Sequence, residues 1–145
     1  MNKTNIQYPT RNIQLMNEKT NTKSNHKNFD LRDRFINYAI RIIKISENLP
    51  DTKAGKHICA QVLRSGTSPA PNYGEAQSAE SNADFIHKLK IALKELRETE
   101  VWLKIILRAE LIQPSKLSPL LQETDELISI LFKSIDTAEK IGSSL

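Results

Sequence analysis

The sequence lacks the features that define several common protein classes. Cys59 is the only cysteine among 145 residues, which excludes an intrachain disulfide and a zinc site built from paired cysteines. Its neighbours Ile58 and Val62 favour a small core residue over a reactive thiol. No apolar run approaches the roughly 18 to 20 residues that cross a bilayer, and the first residues lack the apolar centre of a signal peptide. We therefore expect a cytoplasmic protein with no membrane segment.

Motifs for catalysis and cofactor binding are also missing. Neither Gly-Lys-Ser nor Gly-Lys-Thr occurs near Gly66 or Gly74, which excludes a nucleotide-binding loop of that type, and there is no Gly-x-Ser-x-Gly elbow. Asp84 and His87 have the i, i+3 spacing of a helical metal site. Carboxylate-bridged bundles need a second such pair and further Glu residues, so an incidental surface pair is favoured. We predict no catalytic, cofactor-binding or metal-binding residues, and thus no enzyme.

Charge is concentrated at the N-terminus. The chain carries 21 Lys and Arg against 17 Asp and Glu, a formal charge of +4, and residues 1–28 alone hold 5 basic residues against Glu18. The remaining residues therefore carry no net charge. Residues 1–28 also contain seven Asn and no sustained apolar period, a composition that buries too little surface to offset the entropy of ordering. We predict a disordered basic arm over 1–28, either a solvated leader or an aid in holding an anionic partner, and a folded domain over 29–145.

Helical periodicity runs through the rest of the chain. Apolar residues at spacings of three and four predict helices over about 31–48, from Ala83 to about Glu110, and along a face from Leu117 to Ala138. That last face comprises Leu117, Leu121, Thr124, Ile128, Leu131, Ile135 and Ala138. The predicted face of the first helix comprises Phe35, Ala39, Ile42, Ser46 and Leu49, and the flanking Tyr38, Ile43 and Ile45 make it one broad apolar face. Ser81, followed by Asp84, is typical of a helix cap.

The second helix contains residues that favour a break. Asp51 is a candidate cap for this helix, which runs through Ile58, Val62 and Ser65, whereas Gly66 and Pro69 act as breakers. Ser68 followed by Pro69 also fits an N-cap and first helical residue. We predict two segments that meet at a kink near residues 66–69. Four long helices with short links indicate an all-α, antiparallel up-and-down four-helix bundle with a disordered N-terminal arm.

Two of the predicted helices carry more apolar residues than one buried face requires. At about 100° per residue, Ile36 and Ile40 lie outside the main face of the first helix. Ile91, Val101, Trp102 and Ile105 likewise lie away from the main face of the third. A second apolar sector on two helices favours self-association over scattered exposed residues.

One side of the third helix is basic. Its cations fall within roughly 40° of one direction, interrupted only by Val101; we call Lys90, Lys94, Arg97, Lys104 and Arg108 the basic row. Such a row can follow a phosphate backbone, and Arg offers bidentate geometry to phosphate oxygens. Glu98 and Glu100 flank it, so a solvated, salt-bridged face is the alternative.

Four further charged residues have small or apolar neighbours. We predict that they form structural polar links inside the bundle, because buried charges must be paired and hydrogen-bonded. They are Arg64, Glu75, Glu95 and Glu98.

The combination of residues between 63 and 107 resembles the bacterial 23S rRNA intervening-sequence protein family. The resemblance extends over roughly residues 30–140 and rests on the combination rather than on any single element. The elements that carry it are Leu63, Arg64, Ser65, Ser68, Asn72, Glu75, Ala76, Glu80, Ser81, Asp84, Phe85, Lys88, Leu89, Ala92, Glu95, Glu98, Thr99, Trp102 and Leu103.

This resemblance implies an all-helical fold and assembly into a ring of five subunits around a central opening. A related accessory protein of diversity-generating retroelements looks like a basic barrel that binds nucleic acid. The residues of this chain that follow the arm carry no net charge, so their charge alone does not favour such binding. Together with the basic row, the resemblance leads us to expect a homopentamer that binds RNA or DNA. The alternative is an interaction scaffold that holds a protein partner and binds no nucleic acid.

Overall fold

The computed structural model describes residues 30–144, and every regular element in that range is a helix. In chain order these are α1 (Leu31–Glu47), α2 (Lys53–Thr67), α3 (Pro69–Gln77), α4 (Asn82–Arg108) and α5 (Pro114–Ser143). Because α2 and α3 are two halves of one kinked helix, the described chain is an antiparallel four-helix bundle, as predicted. The predicted arm, residues 1–28, lies outside the described residues.

Polar side chains define where three of the helices begin. Asp30 and Ser81 accept hydrogen bonds from the backbone N–H groups of Asp33 and Asp84, at 3.2 Å and 3.0 Å. The prediction that Asp51 caps the second helix is wrong, because Thr52 Oγ1 accepts from the Gly55 N–H at 3.0 Å. A cap of this kind contributes about 1 kcal/mol, since it satisfies an N–H that the helix leaves unpaired.

The predicted kink is confirmed at Ser68, between α2 and α3. Ser68 keeps helical dihedral angles (φ −68°, ψ −35°), but its side chain makes no cap bond. The Asn72 amide instead donates to the Ser68 carbonyl and hydroxyl oxygens, at 2.9 Å and 3.0 Å. Pro69 has no N–H to donate to the preceding turn, so the helix bends without ending.

Gly66 allows a close approach of α2 to α1 just before this kink. It is buried, and a Cβ added there would lie 2.7 Å from both Cγ1 and Cγ2 of Ile42. Ile42 is itself fully buried, and its branched carbons are held close to the α1 backbone. Only glycine therefore fits at this position without displacing one of the helices.

The core lies along the bundle axis. On α4, Leu89, Leu96 and Leu103 are fully buried, each side chain contributing roughly 1.5 to 3 kcal/mol by leaving water. Two other predicted faces differ in places from the buried residues, because contact with neighbouring helices decides between adjacent apolar residues. On α1, the flanking residues Tyr38 and Ile45 are buried, whereas Ala39 and Leu49 are half-buried and Ile43 is exposed; on α5, Leu120 and Leu127 are buried where Leu121 and Ile128 were predicted.

Hydroxyl pairs satisfy the polar groups of this core. The Tyr38 hydroxyl lies 2.7 Å from Thr124 Oγ1, joining α1 to α5, and burial raises the pKa of Tyr38. The hydroxyls of Ser65 and Thr99 are 2.9 Å apart and join α2 to α4. Cys59, predicted as a core residue, is half-buried at the edge of the core.

The arrangement of the helices separates α1 from α4. Each of these helices packs against α2, α3 and α5, but they do not contact each other within residues 30–144. They occupy diagonal corners, and both run in the same direction because the chain goes up and down between them. No helix in the described part of the chain has the length and apolar character to span a membrane.

Candidate nucleic-acid interface

The basic row lies on the outer face of α4, opposite the side that packs into the core. All five of its side chains are exposed. Their positions follow from the helix repeat, since the buried residues of α4 occupy the other side of the same cylinder. The structure therefore places the predicted residues on a single continuous surface.

Two cations of the basic row already have carboxylate partners. Lys90 Nζ lies 2.8 Å from Glu139 Oε1 on α5, and Lys104 Nζ lies 3.2 Å from Glu100 Oε1 one turn earlier. Lys94, Arg97 and Arg108 make no ion pair with any residue from 30 to 144. Three of the five cations are thus available to phosphate oxygens.

Apolar side chains divide the outer face of α4 into two halves. Val101 is 56% exposed and Ile105 39%. With Lys104, Arg108 and Ala109 they line a shallow depression of about 580 Å³ over the last turns of α4. The N-terminal half of the face, from Lys90 to Arg97, is cationic, whereas the C-terminal half is apolar with a cationic edge.

A second apolar surface lies on α1, as the sequence predicted. Ile36, Ile40 and Ile43 are each a little over 40% exposed, and their spacing of four and three places them on one line. This line points away from the buried side of α1, which holds Phe35 and Ile42. Neither the α1 line nor the apolar part of α4 is covered by another part of residues 30–144.

The predicted polar links form between helices but not inside the bundle. Arg64 of α2 is about half exposed and donates to Glu95 at 3.2 Å and to Glu98 at 2.5 Å, both on α4. Glu75 of α3 pairs with Lys88 of α4 at 2.7 Å, also at the surface. The prediction of a buried network is wrong because long Arg, Lys and Glu side chains reach past the core edge and keep their charges hydrated.

The Arg64 pair shifts the titration of its partner. The guanidinium of Arg64 lowers the pKa of Glu98 below its usual value, and the carboxylate raises the pKa of Arg64. The indole N–H of Trp102 has no hydrogen-bond partner in the described chain, although it lies near enough to Glu98 to help lower that pKa. His57 packs edge-on to the same indole, with ring centroids 6.1 Å apart. This cluster joins α2 to α4.

Residues 30–144 contain no group of three or more His, Cys, Asp or Glu side chains that could hold a metal ion. Asp84 and His87 sit on the first turns of α4, where Asp84 is half-buried and His87 exposed.

Sequence reasoning missed the ion pairs that join α1 to α5. Arg34 donates to Glu123 and to Glu126, the first of these through two nitrogen atoms. Arg34 is 89 and 92 residues away from the two Glu residues, so no local spacing relates it to them. The partner of Lys90, Glu139, was missed for the same reason.

Comparison with known proteins places the bundle among its relatives. The model of the family described as 23S rRNA-intervening sequence protein matches residues 27–133. A solved structure from the S23 ribosomal protein family of Bacteroides thetaiotaomicron, a protein of unknown function, is 38% identical with a TM-score of 0.68. That similarity covers 72% of this chain and 96% of the other. No curated protein matches the sequence.

Proposed function

Because the chain belongs to the 23S rRNA-intervening sequence protein family, we propose that it is a non-enzymatic, homo-oligomeric helical bundle that binds RNA or DNA through the basic row of α4. The observation that carries this proposal is the exposure of Lys94, Arg97 and Arg108 on one helix face without carboxylate partners within residues 30–144. Phosphate oxygens are the ligands that such a line of cations fits best.

Assembly compensates for weak nucleic-acid binding at each single site. A row with three free cations contacts few phosphates, so one copy binds weakly and loses affinity steeply with salt. Repeated copies in one assembly raise the overall affinity, since each further contact is made within the same complex. The ring of five subunits that the family resemblance implies supplies this repetition, and the exposed apolar lines of α1 and α4 supply the surfaces for it. Residues 1–28, with 5 basic residues against one acidic, add further positive charge.

A salt titration of the full chain with a structured RNA, and in parallel with duplex DNA, tests the proposal. Reversing Lys94 and Arg97 together to Glu should lower the affinity by about tenfold or more and reduce the salt dependence by about one unit of slope per lost phosphate contact. Lys53→Glu with Lys116→Glu is the matched control, because it makes the same change in net charge at exposed sites near helix starts. Equal affinity of the two double variants, or binding that is indifferent to salt, contradicts the proposal.

A protein-interaction scaffold is the second candidate. The ion pairs of Lys90 with Glu139 and of Lys104 with Glu100 favour it, since they commit part of the basic row to the protein itself. A scaffold of this kind has no measurable affinity for either nucleic acid at physiological salt and retains a protein partner on purification. The same titration therefore separates the two candidates.

A further inference from the structure

Two exposed rows, one on α1 and one on α4, share a pattern of apolar residues followed by a charge. On α1, Ile36, Ile40 and Ile43 are followed by Glu47, at spacings of four, three and four. On α4, Val101 and Ile105 are followed by Arg108, at spacings of four and three. Such spacings place each set along one line of its helix, as in the seam of a coiled coil. We call these the α1 row and the α4 row.

One copy of the protein cannot bring its own two rows together. α1 and α4 occupy diagonal corners of the bundle and make no contact, and each row faces away from the core. A second copy, however, can place its α4 row against the α1 row of the first. The two helices are then parallel when the copies stand side by side in the same orientation, because α1 and α4 run in the same direction.

We propose that the α1 row of one copy packs lengthwise and in parallel against the α4 row of the next, with Glu47 paired to Arg108. The inference rests on the proposed function, whose self-association it locates. Neither Glu47 nor Arg108 makes an ion pair within residues 30–144, and each stands at the C-terminal end of its row. Parallel packing therefore brings opposite charges together at the same end, whereas antiparallel packing separates them.

The contact joins different faces of identical copies. Each copy offers an α1 row to one neighbour and an α4 row to the other. Repetition of such a contact builds a ring when the rotation between neighbours closes and an open filament when it does not. The packing covers Val101, Ile105 and Arg108 in the C-terminal half of α4. The register set by Glu47 and Arg108 places Ile36 level with Arg97. Assembly therefore takes Arg108 from the cations that bind phosphate and leaves Lys94, nearer the N-terminus of α4, clear of the contact.

Substitution of one residue in each row tests the contact in the full chain. Ile40→Lys and Val101→Lys alter side chains that are 43% and 56% exposed, so both variants should keep the helical circular dichroism of the wild type. Each should lose assembly in sedimentation velocity, its association midpoint shifting to a concentration about tenfold higher or more. Phe132→Lys is the control, because Phe132 is 58% exposed but lies on α5, outside both rows.

Mixing the two variants distinguishes this contact from a symmetric one. The Ile40→Lys copy retains an intact α4 row, and the Val101→Lys copy retains an intact α1 row. An equimolar mixture should therefore form a two-copy species that neither variant forms alone. If α1 instead packed against α1, Val101→Lys would assemble as the wild type does, and that result overturns the inference.

A charge exchange tests the orientation. Glu47→Arg and Arg108→Glu should each weaken assembly, and the double variant should restore it, because the pair is re-formed with its charges reversed. If the double variant does not recover assembly, the parallel packing is wrong. Wild-type assembly that survives both row substitutions refutes the contact but leaves the oligomer standing. If the wild type is monomeric at micromolar concentration, both the contact and the proposed self-association are wrong. The RNA titration still reports on nucleic-acid binding in that case.

Discussion

Gly66 controls the separation of α1 and α2. A methyl group at this position would lie 2.7 Å from two carbons of the fully buried Ile42. Gly66→Ala should therefore lower the free energy of unfolding by about 1 to 3 kcal/mol, the range found for overpacked cores. Urea denaturation followed by circular dichroism measures this change.

Gly74 provides the matched control for that substitution. It lies within α3, and nothing is within 4 Å of the position that its Cβ would occupy. Alanine is the better helix former, so Gly74→Ala should raise the free energy of unfolding by about 0.5 to 1 kcal/mol. The two substitutions should change the free energy of unfolding in opposite directions. Equal changes would mean that Ile42 moves aside without cost.

Single residues differ in how far the sequence reveals their surroundings. The exposure of Lys94 and Arg97 could be predicted, because the helix repeat alone places them opposite Leu89 and Leu96. The partner of Lys90 could not, since Glu139 reaches it only through the packing of α5 on α4. Exposure is a local property of the helix, whereas pairing depends on which helices are neighbours.

At the scale of elements, the link from α2 to α4 should make stability depend on pH. The pKa of Glu98 is lowered in the folded protein by Arg64, so its carboxylate contributes stability above its unfolded pKa. That contribution is lost as the pH falls through the folded pKa. Glu98→Gln should therefore be less stable than the wild type at pH 7, and the gap should narrow as the pH is lowered through the range in which the Glu98 carboxylate becomes protonated.

Glu80 offers the control for this titration. It is exposed just before α4 and makes no ion pair within residues 30–144. Glu80→Gln should follow the wild type from pH 7 to pH 3 in the same urea experiments. A gap for Glu98→Gln that does not narrow as the pH falls would show that the amide disturbs packing rather than charge.

Helix boundaries show what the sequence determines at this scale. The cap formed by Ser81 was predicted because its partner, the Asp84 N–H, lies three residues away. The choice of Asp51 over Thr52 was wrong, since both residue types cap helices and the two are neighbours in the sequence. Parts of the α1 and α5 faces were misassigned for a similar reason: several adjacent apolar residues could fill the same core.

For the whole molecule, the main question is whether charge on the arm or on the bundle holds nucleic acid. Residues 1–28 precede the cap at Asp30, so a chain that begins at Phe29 should keep the helical content and urea midpoint of the full protein. It should bind RNA more weakly, with a smaller salt dependence, yet still lose affinity when Lys94 and Arg97 are reversed. Fluorescence titration at several salt concentrations checks this.

Two other results for the shortened chain would change the proposal. Complete loss of binding on removing residues 1–28 would assign the site to the arm. Unchanged affinity would assign it to the bundle alone.

The fold class at this scale was predictable, because periodicity and short links leave few alternatives to an antiparallel bundle. Assembly remains a prediction, since it depends on contacts between copies.

The close approach of Gly66 to Ile42 also has an evolutionary consequence. A change at one position is tolerated only if the other makes room, so the two should not drift independently among descendants of this chain. Lineages that gain alanine at position 66 should first have acquired a smaller residue at position 42, because the reverse order passes through an unstable intermediate. The order in which these substitutions accumulate is thus constrained by the spacing of two helices.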